Sequence, residues 1–498
     1  MKYIGSIDQG TTSTRFIIFN ENGEIIGLHQ LEHKQLYPKP GWVEHDPEEI
    51  WGNTCECIRE TLKKTGLQGS DISAIGITNQ RETITAWNPK TGEIYHNSIV
   101  WQDLRGSRLI DSLKERGKDI AIQRITGLIP SPYFAASKIA WLLDNVPELK
   151  EKAASGEAVF GTIDCWLIYK LTGGQAVVTD ATNASRYMLM DIKSLKWDPQ
   201  MLKLFGLKSS ALPEIVSSTG EVYGTTVPEG PFKAEIPVCG ALGDQQAALF
   251  GQACFKSGQA KCTYGTGCFL LENTGSQLCR STSGLLSTVA FKAAGEAPVY
   301  ALEGSIAVAG SLVQWARDNL KMVSSPQELD QFASEVTDCG GVYVVPAFSG
   351  LFAPYWRSDA RGIIAGLTGF ATRNHICRAI LESTAFQAYD IFKAIEADSR
   401  VKMTELKVDG GLTNSEPLMK FQSDVLRVPV IRPHVVETTA LGAAYAAGLT
   451  AGVFKSIKEL ESQWKEEKRW TMTMDEKTVQ NKIRFWKKAV EKTLNWVD

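Results

Sequence analysis

Residues 3–20 read Tyr-Ile-Gly-Ser-Ile-Asp-Gln-Gly-Thr-Thr-Ser-Thr-Arg-Phe-Ile-Ile-Phe-Asn, two apolar runs joined by a short turn rich in hydroxyls. Such runs predict strands over 3–8 and 14–20, with 9–13 as the turn. Glu21-Asn22-Gly23 turns the chain again into a third strand, 24–30, so it opens on a three-stranded antiparallel meander. A helix over 50–65 and an apolar strand over 72–78 follow. The opening pattern returns past the middle, with strands predicted over 259–263 and 269–273 around the turn Tyr264-Gly265-Thr266-Gly267-Cys268. Each half therefore begins strand, small-residue turn, strand, a duplication of pattern and not of residue identity. The glycine-bearing segment 251–258 divides the halves. Further on, 340–348 reads as an apolar strand, 375–397 as a long helix, and 406–408 as a strand entering Asp409-Gly410-Gly411. Segments 456–468 and 475–496 read as a pair of charged, amphipathic surface helices.

The turns hold the chemistry. A strand ending in Asp8 delivers a carboxylate to the sheet edge, and Gly10 lets the backbone turn sharply or approach a ligand. Thr11, Thr12 and Ser13 supply hydroxyls and N–H groups suited to phosphate oxygens, and Arg15 adds a charged fork. Asp8 then suits Mg²⁺, which takes few carboxylates and keeps several waters. A plain hairpin with a polar tip is the bland alternative. Thr266 in the second turn and the glycines at 410–411 can face a nucleotide in the same way, and a bare turn is again the alternative. There is no G-x-x-x-x-G-K-[ST] loop, no strand followed by G-x-G-x-x-G and no protein-kinase catalytic loop, so a nucleotide must be held by hairpins. Asp244, in Gly-Asp-Gln-Gln-Ala-Ala, reads either as the N-cap of an apolar helix or as a general base. Arg81-Glu82 reads as a solvated pair or as the donor and acceptor of a polyol pocket, with Trp101 and Tyr133 as core aromatics or as its walls.

The chain has 498 residues, 22% of them charged, and a net charge of −3 with no basic stripe, which argues against nucleic acid and anionic membrane as partners. No apolar run reaches the roughly 18 residues of a membrane span. The opening has no secretory-signal pattern. The ten cysteines form no C-x-x-C pair, so reduced thiols in a cytoplasmic protein are expected and a zinc site is not.

Taken together, D-Q-G-T-T-S-x-R, K-P-G-W-V-E-H-D-P, G-I-T-N-Q-R-E-T, G-D-Q-Q-A-A-L-F-G-Q, Y-G-T-G-C-F, V-D-G-G and A-L-G-A-A-Y resemble the glycerol kinase family over nearly the whole chain. That family belongs to the sugar kinases with an actin-like ATPase fold. The resemblance implies an α/β protein of two actin-like (ribonuclease H-like) ATPase domains, residues 1–251 and 252–498, with a cleft between them. It implies glycerol and ATP as substrates and Mg²⁺ as cofactor. Thr11, Thr12, Ser13 and Arg15 would contact phosphates. Asp8 and Asp244 would serve the metal. Arg81, Glu82, Tyr133, Asp244 and Gln245 would bind glycerol, Trp101 and Phe269 would flank its carbon edge, and Asp244 would be the base. Thr266, Gly310, Gln314, Gly411 and a residue at Asn414 or Ser415 would line the nucleotide side. Two departures stand out: Ser415-Glu416 replaces a common Asn pair, and Phe352 replaces a common Gly. The loop 228–233 lacks the Gly run and Arg that bind fructose 1,6-bisphosphate in some members, and no His lies between His96 and His375 for the phosphorylation seen in others. A kinase of another small polyol or ketose is the nearest rival, and a non-catalytic actin-like nucleotide switch the more distant one. The sequence leaves a homo-oligomer open.

Overall fold

The computed structural model describes residues 2–497. Two mixed sheets organise it. In the first, Tyr3–Gln9 runs antiparallel to Ser13–Asn20, which runs antiparallel to Ile25–Glu32. On its other side Tyr3–Gln9 pairs in parallel with Ile72–Asn79, and that strand with Pro237–Gly243. The second sheet repeats the plan. Ala260–Tyr264 and Cys268–Gly275 form the hairpin, Val299–Ile306 adds antiparallel, and Leu406–Asp409 then Val430–Pro433 add in parallel. Each sheet thus has the same five-strand core, so the pattern duplication seen in the sequence is a duplication of topology, the actin-like arrangement. The parallel strand Ile72–Asn79 is buried along nearly its whole length, because helices cover both its faces.

Helix Pro47–Thr65 shows why these segments end where they do. The Asp46 carboxylate caps it by accepting from the Glu48 N–H, Pro47 sits at its first position, and Gly66 closes it at φ 72°.

Between the sheets, helix Asp244–Gly251 packs on helix Thr438–Thr450 with backbones almost touching. A Cβ at Gly442 would lie 1.9 Å from the Ala247 carbonyl oxygen, and one at Gly251 would lie 2.0 Å from that of Thr438. Helix Thr438–Thr450 comes from the second half of the chain yet lies on the first sheet, where a Cβ at Gly76 would meet the Ala443 carbonyl at 2.1 Å. One apolar cluster consequently joins both halves, with Ile4, Phe19, Leu242 and Phe250 against Leu271, Ala301 and Leu441. The domain limits expected at 1 and 498 end on residues outside those described.

Two expectations need correction. Only Ile457–Gln463 of the segment 456–468 is helical; Glu466–Trp470 is a strand, antiparallel to Val430–Pro433 at the edge of the second sheet. Its charged side chains face solvent on an edge that nothing extends, so a pattern that reads as a helix surface serves as a blunted strand edge. Within 340–348 only Tyr343–Val345 is a strand. Among the described residues no helix is long and apolar enough to cross a membrane. Gly442→Ala is expected to lower stability by about 2 kcal/mol or more through overpacking, read as a lower urea midpoint at unchanged slope.

Candidate active site

The first hairpin brings Asp8 opposite Arg15, and its tip closes with the Gly10 N–H donating to the Ser13 carbonyl at 2.9 Å. Thr12 is exposed at the tip, Thr11 is half-buried, and Ser13 is buried. The tip is braced from below. Gln35 Nε2 donates to the Thr11 carbonyl at 2.8 Å, His45 Nε2 meets Gln35 Oε1 at 2.8 Å, and Gln80 Nε2 meets His45 Nδ1 at 3.2 Å. This chain is consistent only with a neutral His45 that donates from Nε2 and accepts at Nδ1. Burial, with His33 stacked edge-on at 4.6 Å, holds its pKa down to about 3.

Arg15 does not reach outward. Its Nη1 donates to Glu437 at 2.6 Å and sits 3.8 Å from Asp8. Asp8 has no hydrogen-bond donor; burial, only partly offset by Arg15, pushes its pKa up to about 6. Arg15 is thus a distant and shared counter-charge, and Asp8 keeps room for a second cation.

Arg81 and Glu82 are buried, not solvated. Arg81 Nη1 and Nη2 donate to both oxygens of Glu303 at 2.6 and 2.9 Å, Nη1 also reaches Gln246 Oε1 at 3.2 Å, and Nε lies 3.1 Å from Asp244 Oδ1. The Arg81 stem runs over Gly243, where a Cβ would sit 2.7 Å from it. Arg186 Nε donates to Glu82 at 2.5 Å and its terminal nitrogens reach Glu303 at 3.3 and 3.4 Å. Burial raises the Glu303 pKa, but Arg186 and Arg81 overcome that and bring it to about 2. Glu82 holds φ at 59°, a left-handed conformation unusual for its type and a mark of functional constraint. Asp244 is the member of the cluster open to the cleft, 31% exposed against 0–2% for the side chains of Arg81, Glu82, Arg186 and Glu303. It is not the N-cap of its helix: Gly243 holds that place and Asp244 begins the helix.

The aromatic residues gather on the same spot. Trp101 and Tyr133 meet edge-on at 5.5 Å, and Phe269 from the second hairpin lies 5.9 Å from the Arg81 guanidinium. Trp101 does more than pack, since its Nε1 donates to Thr11 Oγ1 at 2.9 Å and so ties this aromatic group to the first hairpin. Buried Lys138 gathers the carbonyls of Pro132, Tyr133 and Phe134 at 3.1, 2.6 and 3.3 Å and shapes the loop that carries Tyr133; burial lowers its pKa to about 7. Gln245 Oε1 accepts from buried Lys261 at 2.5 Å.

The remaining expected residues form a second group around the second hairpin. Thr266 is exposed at its tip, with its carbonyl accepting from the N–H groups of Ala309 and Ser311. Gly310 packs where a Cβ would lie 2.6 Å from the Gly265 carbonyl, and Gln314 is exposed on the helix that Gly310 begins. Gly410, φ 90°, presses its backbone on Tyr264 and presents Gly411 beside it. Ser415 behaves otherwise. It is buried, its Oγ donates to Asp330 at 2.7 Å, and it caps helix Glu416–Leu426. Glu303, Arg186, Lys261, Lys138, His45 and Glu437 were not among the expected site residues. The sequence signal for Glu303 and Lys261 was a lone charge inside an apolar strand.

Residues 3–251 match the N-terminal domain of the FGGY family of carbohydrate kinases, and residues 260–451 match its C-terminal domain. A protein described as glycerol kinase from Pseudarthrobacter chlorophenolicus is 55% identical over 500 residues, covering 100% of this chain and 99% of the relative. One from Renibacterium salmoninarum is also 55% identical, at 100% and 99% coverage. The crystal structure of Plasmodium falciparum glycerol kinase with ADP superposes with a TM-score of 0.93 at 42% identity, covering 99% of this chain and 98% of that one. A ligand-bound xylulose kinase from Lactobacillus acidophilus, TM-score 0.85 at 22% identity with 99% and 97% coverage, shares the fold.

Two outcomes follow from the cluster and its brace. Glu303→Gln leaves two guanidiniums short of a charge and is expected to cost about 3–5 kcal/mol of stability, measured by denaturant unfolding. For His45, the folded pKa lies below the unfolded one, so its contribution is complete above pH 6.5 and falls as the pH drops toward 3. Between pH 6.5 and 5 the loss is about 2 kcal/mol, and His45→Gln should flatten that slope.

Proposed function

The chain belongs to the FGGY family of carbohydrate kinases, in its glycerol kinase branch, and we propose that it transfers the γ-phosphoryl group of ATP to a terminal hydroxyl of glycerol, giving sn-glycerol 3-phosphate and ADP. The observation that carries this reading is the pairing of Arg81-Glu82 with Asp244-Gln245 between three aromatic side chains, beside a hydroxyl-rich hairpin. A small triol needs alternating donors and acceptors, and a short wall of apolar edges for its carbons.

Phosphoryl transfer asks the protein for position and charge neutralisation more than covalent help. Asp244 accepts the proton of the attacking hydroxyl. The oxygen so freed forms its bond to the γ-phosphorus as the bond to the ADP oxygen breaks. Arg81 Nε steadies Asp244, and Glu82 with Tyr133 orients the other hydroxyls. Thr11, Thr12 and Ser13 offer hydroxyls and N–H groups to the phosphates, and Arg15 turns to them when it leaves Glu437. Thr266, Gly310, Gln314 and Gly411 face the nucleotide from the second half. Ser415 shapes that side by capping its helix. Closure of the halves excludes water, the competing acceptor.

The residues fit Mg²⁺. Among the described residues no cluster of three acidic, His or Cys side chains exists, but Mg²⁺ bound with substrate phosphates needs only one or two carboxylates. Asp8, buried without a donor and in the field of Asp244, would hold it. When bound, Mg²⁺ neutralises and aligns the phosphate oxygens. All ten thiols are free, which suits a reducing cytoplasm, where we place the enzyme.

A coupled ADP assay should show turnover that depends on glycerol; slow ADP release indifferent to glycerol would sink the reading in favour of a nucleotide switch. Asp244→Asn should cut kcat by about 10²-fold or more while glycerol still binds.

A further inference from the structure

Gln245 stands next to the candidate base, and an amide can present either its oxygen or its NH₂ to a substrate hydroxyl. The two choices select opposite partners. Gln245 is buried, and its Oε1 lies 2.5 Å from the Nζ of Lys261. An ammonium has three donors and no acceptor, so only the amide oxygen can face it. Lys261 is itself fully buried in strand Ala260–Tyr264 of the second sheet, and it spends a second donor on Thr263 Oγ1 at 2.8 Å. Both of these partners are neutral oxygens; the carboxylates of Asp409, Asp244 and Glu303 act on it through their field. A buried cation held by neutral oxygens is costly, and it does for Gln245 what no neutral side chain there would do as strongly.

We propose that Lys261 is a positioning residue that locks the Gln245 amide with its NH₂ turned to the substrate, so that Gln245 acts as an obligate hydrogen-bond donor to a glycerol oxygen. The inference rests on the glycerol kinase reading above. Its consequence is a division of labour across one peptide bond: Asp244 accepts the proton of the reacting hydroxyl, and Gln245 donates to oxygen. The lock comes from the second half of the chain and the amide from the first, so the donor is set only when the halves are assembled.

The test is a double-mutant cycle in steady-state kinetics on the full chain, with Lys261→Met, Gln245→Leu and the pair. Lys261→Met should lower kcat/KM for glycerol by about tenfold, through KM, with KM for ATP unchanged. In the Gln245→Leu background the same change should have no further effect. Equal losses in both backgrounds, or a loss that appears in KM for ATP, would overturn the proposal. Gln245→Glu covers the case in which Lys261→Met does not fold. Its carboxylate keeps the ammonium paired but shows the substrate an acceptor, so KM for glycerol should rise about tenfold; an unchanged KM also overturns the lock. Failure here is separable from failure of the function: a wild-type chain without glycerol-dependent ADP release sinks the kinase reading, whereas an active wild type with additive variants sinks only the lock.

Discussion

Five charged side chains meet where the two halves join: Arg81, Glu82, Arg186, Asp244 and Glu303. Four of them lie out of water, and none could stay there alone, because an unpaired buried charge costs several kcal/mol. Glu303 is the keystone. It comes from the second sheet and takes both guanidiniums of the first half. The pocket therefore exists only when strand Val299–Ile306 is seated against the residues that follow strand Ile72–Asn79. Without Glu303 the two arginines would repel each other, Arg81 would swing from Gly243, and Asp244 would lose its neighbour.

The packing beneath is as exacting. Helices Asp244–Gly251 and Thr438–Thr450 approach at glycines, where side chains of any size would hold them apart. That closeness fixes the origin of the Asp244 helix, and so the height at which its first two residues stand in the cleft. The K-P-G-W-V-E-H-D-P motif works as support in the same way. Its Asp46 caps a helix, its Glu44 pairs with Arg105 at 2.7 Å, and its His45 braces the first hairpin through Gln35.

Much of this was legible beforehand. The hairpins, their strands and the repeat showed in runs of apolar residues broken by Gly, Thr and Asp, where local chemistry decides the backbone. The pair at 81–82 stood out as opposite charges at a strand end, and the pair at 244–245 as polar residues at the start of an apolar helix. What local pattern could not give was the partner of each charge. Arg81 reads the same whether it faces water, Glu82 or a strand more than two hundred residues away. A lone charge in an apolar strand is a fair signal, yet Glu272 carries it as well and finds no partner for either oxygen. The segment 456–468 failed for another reason: alternating charges suit a solvated helix and an edge strand equally, and only the free edge of Val430–Pro433 decides between them.

That edge bears on how the chain is made. In the second sheet, Val430–Pro433 is covered on its outer side by Glu466–Trp470, which leaves the ribosome after every other strand of that sheet. Until it emerges, Val430 and Ile431 present unpaired N–H and C=O groups beside an apolar face that is buried in the finished protein. A chain stopped short of residue 466 would carry a nearly complete enzyme with a bare, sticky border, the form of sheet that most readily recruits a stranger's strand. The charges of Glu466, Glu467, Lys468 and Arg469 thus act as a late seal, added after all the other strands of both main sheets are already in place.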